Sequence, residues 1–149
     1  MKKNCLKGLR ALLAGLAWAL LAAPAWAVLG QAASAPPTPP NAPGLYTMTA
    51  VSLASGVLVK EFAGVDGVVF AVSWRGPVQP DLSALLGPYL ATFKEANEAA
   101  RATGRRGSPL SVAKDGLVVQ AGGRRPHFFG YAYVTHLLPP GINIKAVVQ

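Results

Sequence analysis

Cysteine is almost absent from this sequence, and its absence removes several kinds of chemistry. The one cysteine, Cys5, lies in the N-terminal segment that we predict to be removed on export. A mature chain without thiols has no disulfide bond, no thiolate nucleophile and no cysteine-based metal site. We expect stability to come from side-chain packing alone, although the compartment reached by export would permit disulfides.

Histidine and acidic residues are also scarce. The sequence has two histidines and six acidic residues, and it contains no H-E-x-x-H motif, so we expect no metal and no cofactor. It also lacks the G-x-S-x-G elbow, the P-loop and the dinucleotide fingerprint. Ser73, His127 and Asp66 could come together in space as a Ser-His-Asp catalytic triad. Almost any sequence contains three residues that could do so, and the set therefore carries little weight. These observations favour a protein without catalytic activity.

Charge of either sign is sparse, and the balance is basic. Charged residues make up 13% of the chain, and its formal net charge is +8. Four of the fourteen basic residues lie in the predicted signal peptide, which leaves ten against six acidic residues and a net charge of +4. A mildly basic protein suits an anionic surface but does not require nucleic acid. We expect an anionic envelope component or another envelope protein as the partner, and no nucleic acid.

The N-terminus has the pattern of a cleaved signal peptide. Basic residues precede an apolar run of thirteen residues, which is shorter than the about 20 residues of a membrane-spanning helix. Ala25 and Ala27 then form an A-x-A pattern, and cleavage after it would leave Val28 as the new N-terminus. We predict a signal peptide over residues 1–27 and export to the periplasm or the extracellular space. An uncleaved anchor is the alternative.

Proline marks the segment that follows. Residues 28–44 contain five prolines among alanines, a composition that favours extended polyproline II and cannot build a core. We predict a disordered linker there. One alternative is a spacer that lets the folded domain extend away from a membrane or cell wall. The other is a docking site for a proline-binding domain. The remaining residues, 45–149, are enough for a single small domain with one modest core.

Alternating apolar residues predict three consecutive strands at the start of this domain. In the third run, four large apolar side chains recur at every second position, which places them on one face of a strand. They are Val68, Phe70, Val72 and Trp74. The run from Ala63 to Gly67 contains two glycines and predicts a hairpin loop. The strands are predicted over residues 46–53, 57–62 and 68–74, as an antiparallel meander.

A change to three- and four-residue spacing predicts one main helix in the middle of the domain. The apolar stripe begins after Asp81, a suitable N-cap, and is interrupted at Gly87 and Pro88. We predict a short turn, a break and then a helix from Pro88 to Ala102. The stripe is expected to pack on the sheet, with a partner-binding surface as the alternative.

Three further strands are predicted over residues 110–113, 117–121 and 127–134. In the last strand, period-two alternation places one set of side chains on a single face. They are His127, Phe129, Tyr131 and Tyr133. The element order β-β-β-α-β-β-β predicts an α+β fold, an antiparallel sheet of five to six strands with one main helix packed on one face.

Three stretches of the chain carry a family resemblance. They are LASGVLVKEF, GVVFAVSWRGPVQPDLSALLGPY and HLLPPGI. The middle stretch is the most specific, with its Trp-x-Gly-Pro step into Asp-Leu-x-x-Leu-Leu-Gly. In these stretches the chain resembles the DUF2844 family of small exported proteobacterial proteins of unknown function. The resemblance implies export and a single small domain, and it assigns no catalytic or binding residue.

Two arginine pairs in glycine-containing loops are the candidate binding residues. They are Arg105 with Arg106, and Arg124 with Arg125. Arginine forks suit phosphates and carboxylates. If both loops lie at one end of the sheet, they would form an anionic-ligand site with His127, Phe128 or Tyr131 nearby. The alternative is that these charges only solubilise two turns.

We therefore predict an exported, non-catalytic envelope accessory or binding protein. Two other classes of function stay open. A small periplasmic hydrolase acting on an envelope polymer would need His127 or His136 within reach of a carboxylate or hydroxyl. A structural subunit would assemble through an exposed sheet edge.

Overall fold

Six antiparallel strands form one sheet in the structure, a computed structural model that describes residues 28–34, 45–104 and 109–148. The strands are β1 (Tyr46–Ser52), β2 (Leu58–Gly64), β3 (Val69–Gly76), β4 (Leu110–Lys114), β5 (Leu117–Arg124) and β6 (His127–Val134). They lie across the sheet in the order β1-β2-β3-β6-β5-β4. Two three-stranded meanders therefore meet along β3 and β6.

The helices lie between the two meanders and after the second one. They are α1 (Leu82–Leu86), α2 (Leu90–Ala102) and α3 (Ile144–Val148), with 3₁₀ turns at Gly87–Tyr89 and Thr135–Leu137. One main helix and a six-stranded antiparallel sheet make the fold α+β. The predicted element order omits the short helices, and the predicted start of the main helix at Pro88 lies in the 3₁₀ turn before it.

Asp81 is the N-cap of the helical region, as predicted. Its Oδ1 accepts hydrogen bonds from the backbone N of Ser83 at 2.8 Å and from Ser83 Oγ at 2.6 Å. A cap of this kind satisfies a backbone donor that has no partner inside the helix. The Ser83 hydroxyl and then the Ser83 backbone N–H hold the pKa of Asp81 below its ordinary value.

Turn residues explain how the second meander folds back on itself. Asp115 and Gly116 form the two-residue loop between β4 and β5, with φ of 49° and 80°. Positive φ at both central positions is what a type I′ hairpin turn requires. Between β5 and β6, Arg124 pairs with His127, and the peptide bond before Pro126 is cis.

A β-bulge in the first meander changes the face that Phe70 occupies. The pairing of β2 with β3 shifts register after Phe62, so that Phe70 is the extra residue on β3. Val72 and Trp74 pack in the larger core, whereas Phe70 packs in the smaller cluster on the other side of the sheet. The prediction that Val68, Phe70, Val72 and Trp74 share one face is therefore wrong, because the bulge interrupts the period of two.

The larger core lies on one side of the sheet, which we call the helix face. Helix α2 packs against β4 and β5 on this side, and Leu85 and Leu86 of α1 add to the same core. The predicted picture of one helix packed on a face needs a correction, because α2 covers only the β4–β5 half. Helix α1 and the segment before β1 fill the core beside β3.

Residues 28–34, which we call the strap, fold onto the sheet although they were predicted to be linker. The Gly30 N–H donates to the Val69 carbonyl at 2.8 Å, and the Val69 N–H donates to the Gln31 carbonyl at 2.9 Å. Strand β6 pairs with β3 only from Ala71 onward, so the strap occupies the position beside Val69 that β6 leaves empty. The rest of the predicted linker, residues 35–44, and the predicted signal peptide lie outside the described residues.

Two side chains of the strap explain why it does not behave as a linker. Leu29 is 0% exposed and belongs to the larger core, where burial of a leucine stabilises the fold by about 1.5–3 kcal/mol. Ser34 bonds a buried carboxylate, that of Glu61, which is 1% exposed. Glu61 accepts from the Ser34 backbone N at 3.1 Å and from Ser34 Oγ at 2.6 Å. A buried charge needs such partners, and all the prolines of the predicted linker lie beyond the strap.

The side of the sheet opposite α2, which we call the open face, is only partly covered. After β6 the chain crosses it through α3, whose Val148 is buried in the smaller cluster with Phe62 and Phe70. Tyr46 and other aromatic or apolar residues of the strands pack around this cluster. Within the described ranges, no helix lies on the part of the open face beyond Val148.

Candidate functional site

Three rows of side chains cross the open face where it is uncovered. Residues paired in an antiparallel ladder point to the same side of the sheet, so the strand register defines each row. The first row is Lys60, Ser73, Tyr131 and Gln120, and the second is Leu58, Arg75, Phe129 and Gly122. The third row is His127 and Arg124. The rows confirm the predicted shared face of His127, Phe129, Tyr131 and Tyr133.

The residues of the first two rows, all except Gly122, line a groove of about 440 Å³, which we call the basic groove. Its side chains come from β2, β3, β5 and β6, and Val148 of α3 borders one side. The groove combines two cations, Lys60 and Arg75, with a large aromatic side chain and several hydroxyl and amide groups. This is a mixture that binds polar ligands carrying negative charge.

Phe129 is the exposed aromatic residue of the groove, with 55% of its surface accessible. Its ring leans over β5, because a Cβ added at Gly122 would lie 3.3 Å from Phe129 Cζ and 3.6 Å from Cε2. One structural role is therefore to cover Gly122. The other side of the ring is open to solvent, and an exposed aromatic in a groove is typical of a binding surface.

Tyr131 and Gln120 provide a fixed polar pair beside Phe129. The Tyr131 hydroxyl donates to Gln120 Oε1 at 2.7 Å. The ring stacks on Tyr133 with centroids 6.2 Å apart and planes 20° apart. Burial, and to a lesser degree the neighbouring Tyr133, raises the pKa of Tyr131. Tyr131 is therefore a neutral hydroxyl donor at physiological pH.

Trp74 lies behind the groove, on the helix face, and is 3% exposed. A Cβ at Gly130 would overlap the Trp74 ring, so only glycine at this position lets the ring pack against β6. Trp74 Nε1 has no hydrogen-bond partner among the described residues. Trp74 therefore belongs to the core and supports the groove from behind.

The open face is basic because the acidic residues lie elsewhere. Glu61 points to the helix face and bonds the strap, and the other five acidic residues lie in turns or in the helical region. They are Asp66, Asp81, Glu95, Glu98 and Asp115. Glu95 forms an ion pair with Lys114, which lowers the pKa of Glu95 and raises that of Lys114. The cations of the groove have no such partner among the described residues.

The structure places only part of the predicted arginine site. Arg124 and His127 face each other at the end of the open face, and Arg125 lies in the adjoining turn. All three are exposed. Arg105 and Arg106 lie outside the described residues. The chain returns to the sheet at Pro109, which adjoins Gly122 at the hairpin end.

The groove residues Lys60, Arg75 and Phe129 are candidate site residues that sequence reasoning missed. The alternation of β3 already indicates a polar face that contains Ser73 and Arg75. What was missing was the pairing of β3 with β6, which places Arg75 directly opposite Phe129.

The two histidines do not form a site with acidic residues. His127 is exposed at the hairpin, and His136 Nε2 lies 3.4 Å from the Tyr89 hydroxyl at the surface. Neither histidine lines the basic groove. Across residues 28–34, 45–104 and 109–148, no cluster of three or more histidine, cysteine, aspartate or glutamate residues could hold a metal ion. In the same ranges, no helix is long and apolar enough to cross a bilayer.

Comparison with protein families gives a match over most of the chain. A family model described as a protein of unknown function (DUF2844) matches residues 17–147. No curated protein and no solved structure matches the chain. The matched range includes the strap, the whole sheet and every residue that lines the basic groove except Val148, which lies one residue beyond it.

Proposed function

The chain belongs to the DUF2844 family, and from that premise we propose that it is an exported, non-catalytic envelope protein that binds an anionic ligand in the basic groove. The observation that carries the proposal is the arrangement of the open face. Lys60 and Arg75 lie in one groove with an exposed Phe129, and no acidic side chain of the described residues neutralises them there. Cations gathered in a concave surface raise the local concentration of anions and speed their association.

The proposed site is centred on the basic groove and not on the two arginine pairs that the sequence indicated. Arg124 and His127 extend the groove at the hairpin end and would contact a ligand longer than the groove. Arg125 and the pair Arg105–Arg106 remain predictions as further contacts. Arginine is suited to this task because its planar fork donates two parallel hydrogen bonds to a carboxylate or phosphate.

Export is the second part of the proposal. It rests on the basic residues, apolar run and A-x-A pattern of residues 1–27. An envelope protein meets anionic polymers and lipids, which is the ligand chemistry that the groove suits. The periplasm and the extracellular space are both consistent with this proposal.

The first experiment removes two positive charges from the groove. It compares the resulting loss of ligand affinity with the loss caused by removing two positive charges elsewhere on the protein. Binding of dextran sulfate to the exported protein is measured by fluorescence anisotropy at low and high salt. We expect Lys60→Ala with Arg75→Ala to weaken binding at least about tenfold, because the loss of even one hydrogen bond to a charged group costs about 1.5–3 kcal/mol and about 1.4 kcal/mol is a tenfold change in affinity. The matched control is Lys94→Ala with Arg101→Ala, two exposed cations of α2.

The control decides between a site and a net-charge effect. Both double variants lose two positive charges, so non-specific attraction would weaken equally in the two. A loss confined to the groove variant supports the proposal. Equal losses, or unchanged binding by the groove variant, would overturn it.

A further inference from the structure

We propose that the ligand of the basic groove is an acidic polysaccharide, with one sugar ring stacked on Phe129 and its carboxylate held by Arg75. This inference rests on the proposed function, because it assumes that the groove binds an anion. It adds the chemical class of the ligand and a role for each group that lines the groove.

The exposed side of Phe129 supplies the stacking surface. One side of the ring leans over Gly122, and more than half of the side chain remains accessible. The ring therefore lies along the sheet instead of projecting from it. A flat, solvent-facing aromatic ring can bury the apolar face of a sugar ring, which releases water from both surfaces.

The cations lie where the acid groups of a stacked sugar would be. Arg75 is directly opposite Phe129 in the ladder between β3 and β6, and opposed Cβ atoms are about 4.5–5.5 Å apart. Lys60 is one strand further away and one row along, a diagonal neighbour of Arg75 at about 7–8 Å. A carboxylate on the stacked ring would reach the Arg75 fork, and the next part of the polymer would pass Lys60.

Neutral polar groups beside Phe129 favour sugars over other anions. Tyr131 donates its hydroxyl proton to Gln120 Oε1, which leaves the Gln120 amide protons as donors and the Tyr131 oxygen as an acceptor. Ser73 adds a hydroxyl that can donate or accept. Sugar hydroxyls form hydrogen bonds with both donors and acceptors of a protein, whereas an ionised phosphate or carboxylate can bond only to protein donors. The groove therefore matches a polyhydroxylated acid.

A lipid surface fits the same charges less well. Membrane-binding faces insert aromatic side chains that project into the headgroup region. Phe129 instead leans along β5, inside a groove with Val148 on one border. A concave groove suits a chain of sugar rings.

The experiment uses four probes against the exported protein. They are polygalacturonate, its methyl ester, polyglutamate and phosphatidylglycerol vesicles. We expect polygalacturonate to bind at least about tenfold more tightly than the uncharged ester and polyglutamate. Vesicles should not compete with it.

Two variants separate stacking from charge. Phe129→Leu keeps an apolar side chain over Gly122 but removes the flat ring, and it should weaken polygalacturonate binding by about tenfold while leaving polyglutamate binding unchanged. Arg75→Gln should weaken the binding of both polymers. Val65→Ala, at an exposed apolar residue in the β2–β3 turn, is the matched control and should change neither. Melting temperatures confirm that each variant is folded.

The outcomes distinguish this inference from the proposed function. If polyglutamate and polygalacturonate bind equally and only Arg75→Gln weakens them, the groove binds anions but the polysaccharide class is wrong. Binding to vesicles alone also overturns the polysaccharide. If no anionic probe binds, or if probes bind but Arg75→Gln leaves every affinity unchanged, the inference and the proposed function both fail.

Discussion

Two glycines on neighbouring strands, Gly130 and Gly122, tolerate a methyl group very differently. A Cβ at Gly130 would overlap the buried Trp74 ring and lie 2.7 Å from the Gln120 carbonyl oxygen. A Cβ at Gly122 would meet Phe129 Cζ at 3.3 Å, the end of an exposed side chain. The first site is closed by core and backbone atoms, and the second by a ring that can rotate away.

Gly130→Ala is therefore expected to lower the free energy of unfolding by about 1–3 kcal/mol, the usual cost of overpacking a core. Gly122→Ala, the matched control, should cost clearly less because only Phe129 has to move. Urea titration followed by tryptophan fluorescence measures both variants. Equal losses would show that overlap with Trp74 is not the cause.

Asp81 gives a pH dependence whose direction follows from its lowered pKa. Because folding lowers the pKa of this carboxyl, its stabilising effect is present above the unfolded pKa of about 3.9 and disappears as the pH falls through the folded pKa. Asp81→Ala should lower the free energy of unfolding by about 0.5–2 kcal/mol near neutral pH. The difference from the wild type should narrow in acid.

Urea titrations at about pH 7 and about pH 2.5 measure this difference. Asp81→Asn is the control, because it keeps a side-chain acceptor for the Ser83 N–H without an ionisable group. It should be closer to the wild type than Asp81→Ala at neutral pH. A deficit of Asp81→Ala that stays constant between the two pH values would contradict the assignment to the carboxylate.

The strap is an element of the fold whose stability depends on contacts distant in sequence. It bonds β3 through its backbone, places Leu29 in the core and gives Glu61 two hydrogen bonds. Since its neighbours come from β2, β3 and α1, removing any one of these contacts should weaken the whole segment.

Ser34→Ala tests the contact to Glu61. The substitution removes one of two hydrogen bonds to a buried carboxylate, and it should lower the free energy of unfolding by about 1–3 kcal/mol. In a Glu61→Gln background the same change should cost less, because a neutral amide loses less than a carboxylate when one hydrogen bond is removed. Ser55→Ala, at an exposed serine in the β1–β2 turn, is the control. If Ser34→Ala lowers the free energy of unfolding equally in both backgrounds, the Ser34–Glu61 hydrogen bond does not stabilise the fold.

Local patterns predicted the elements well because their causes are local. Six strands and a main helix follow from alternation and from three- and four-residue spacing, and Asp115–Gly116 marks its hairpin by turn chemistry alone. The bulge at Phe70 could not be predicted, because it depends on how β3 pairs with β2. The strap was missed because the prolines after it dominate the composition of residues 28–44.

At the scale of the whole molecule, the pairing of β3 with β6 produces the candidate site. This contact joins the two meanders and places Arg75 beside Phe129, although the helical region separates them in the chain. The alternation within a strand predicts which face of the sheet each residue occupies. It does not predict which other strand lies beside it. The sequence therefore indicated Arg124 and His127, which belong to one hairpin, and missed Lys60 and Arg75, which reach β6 only through the sheet.

The two sides of the sheet differ in how their charges are balanced within the described residues. The groove cations lie on the open face without acidic partners, whereas α2 on the helix face carries Lys94 and Arg101 together with Glu95 and Glu98. β1 and β4 are the outer strands of the sheet. Assembly through one of these edges stays a prediction.

Under the export that we propose, the strap has a consequence for the order of cleavage and folding. Leu29 is the second residue after the predicted cleavage point and is completely buried, and proteases require an extended, accessible chain. We infer that a signal peptidase must cut before Leu29 enters the core, so that removal of the leader precedes the last step of folding. The membrane-held precursor would then wait in an open form, and the timing of a single cut would decide when the finished protein is released.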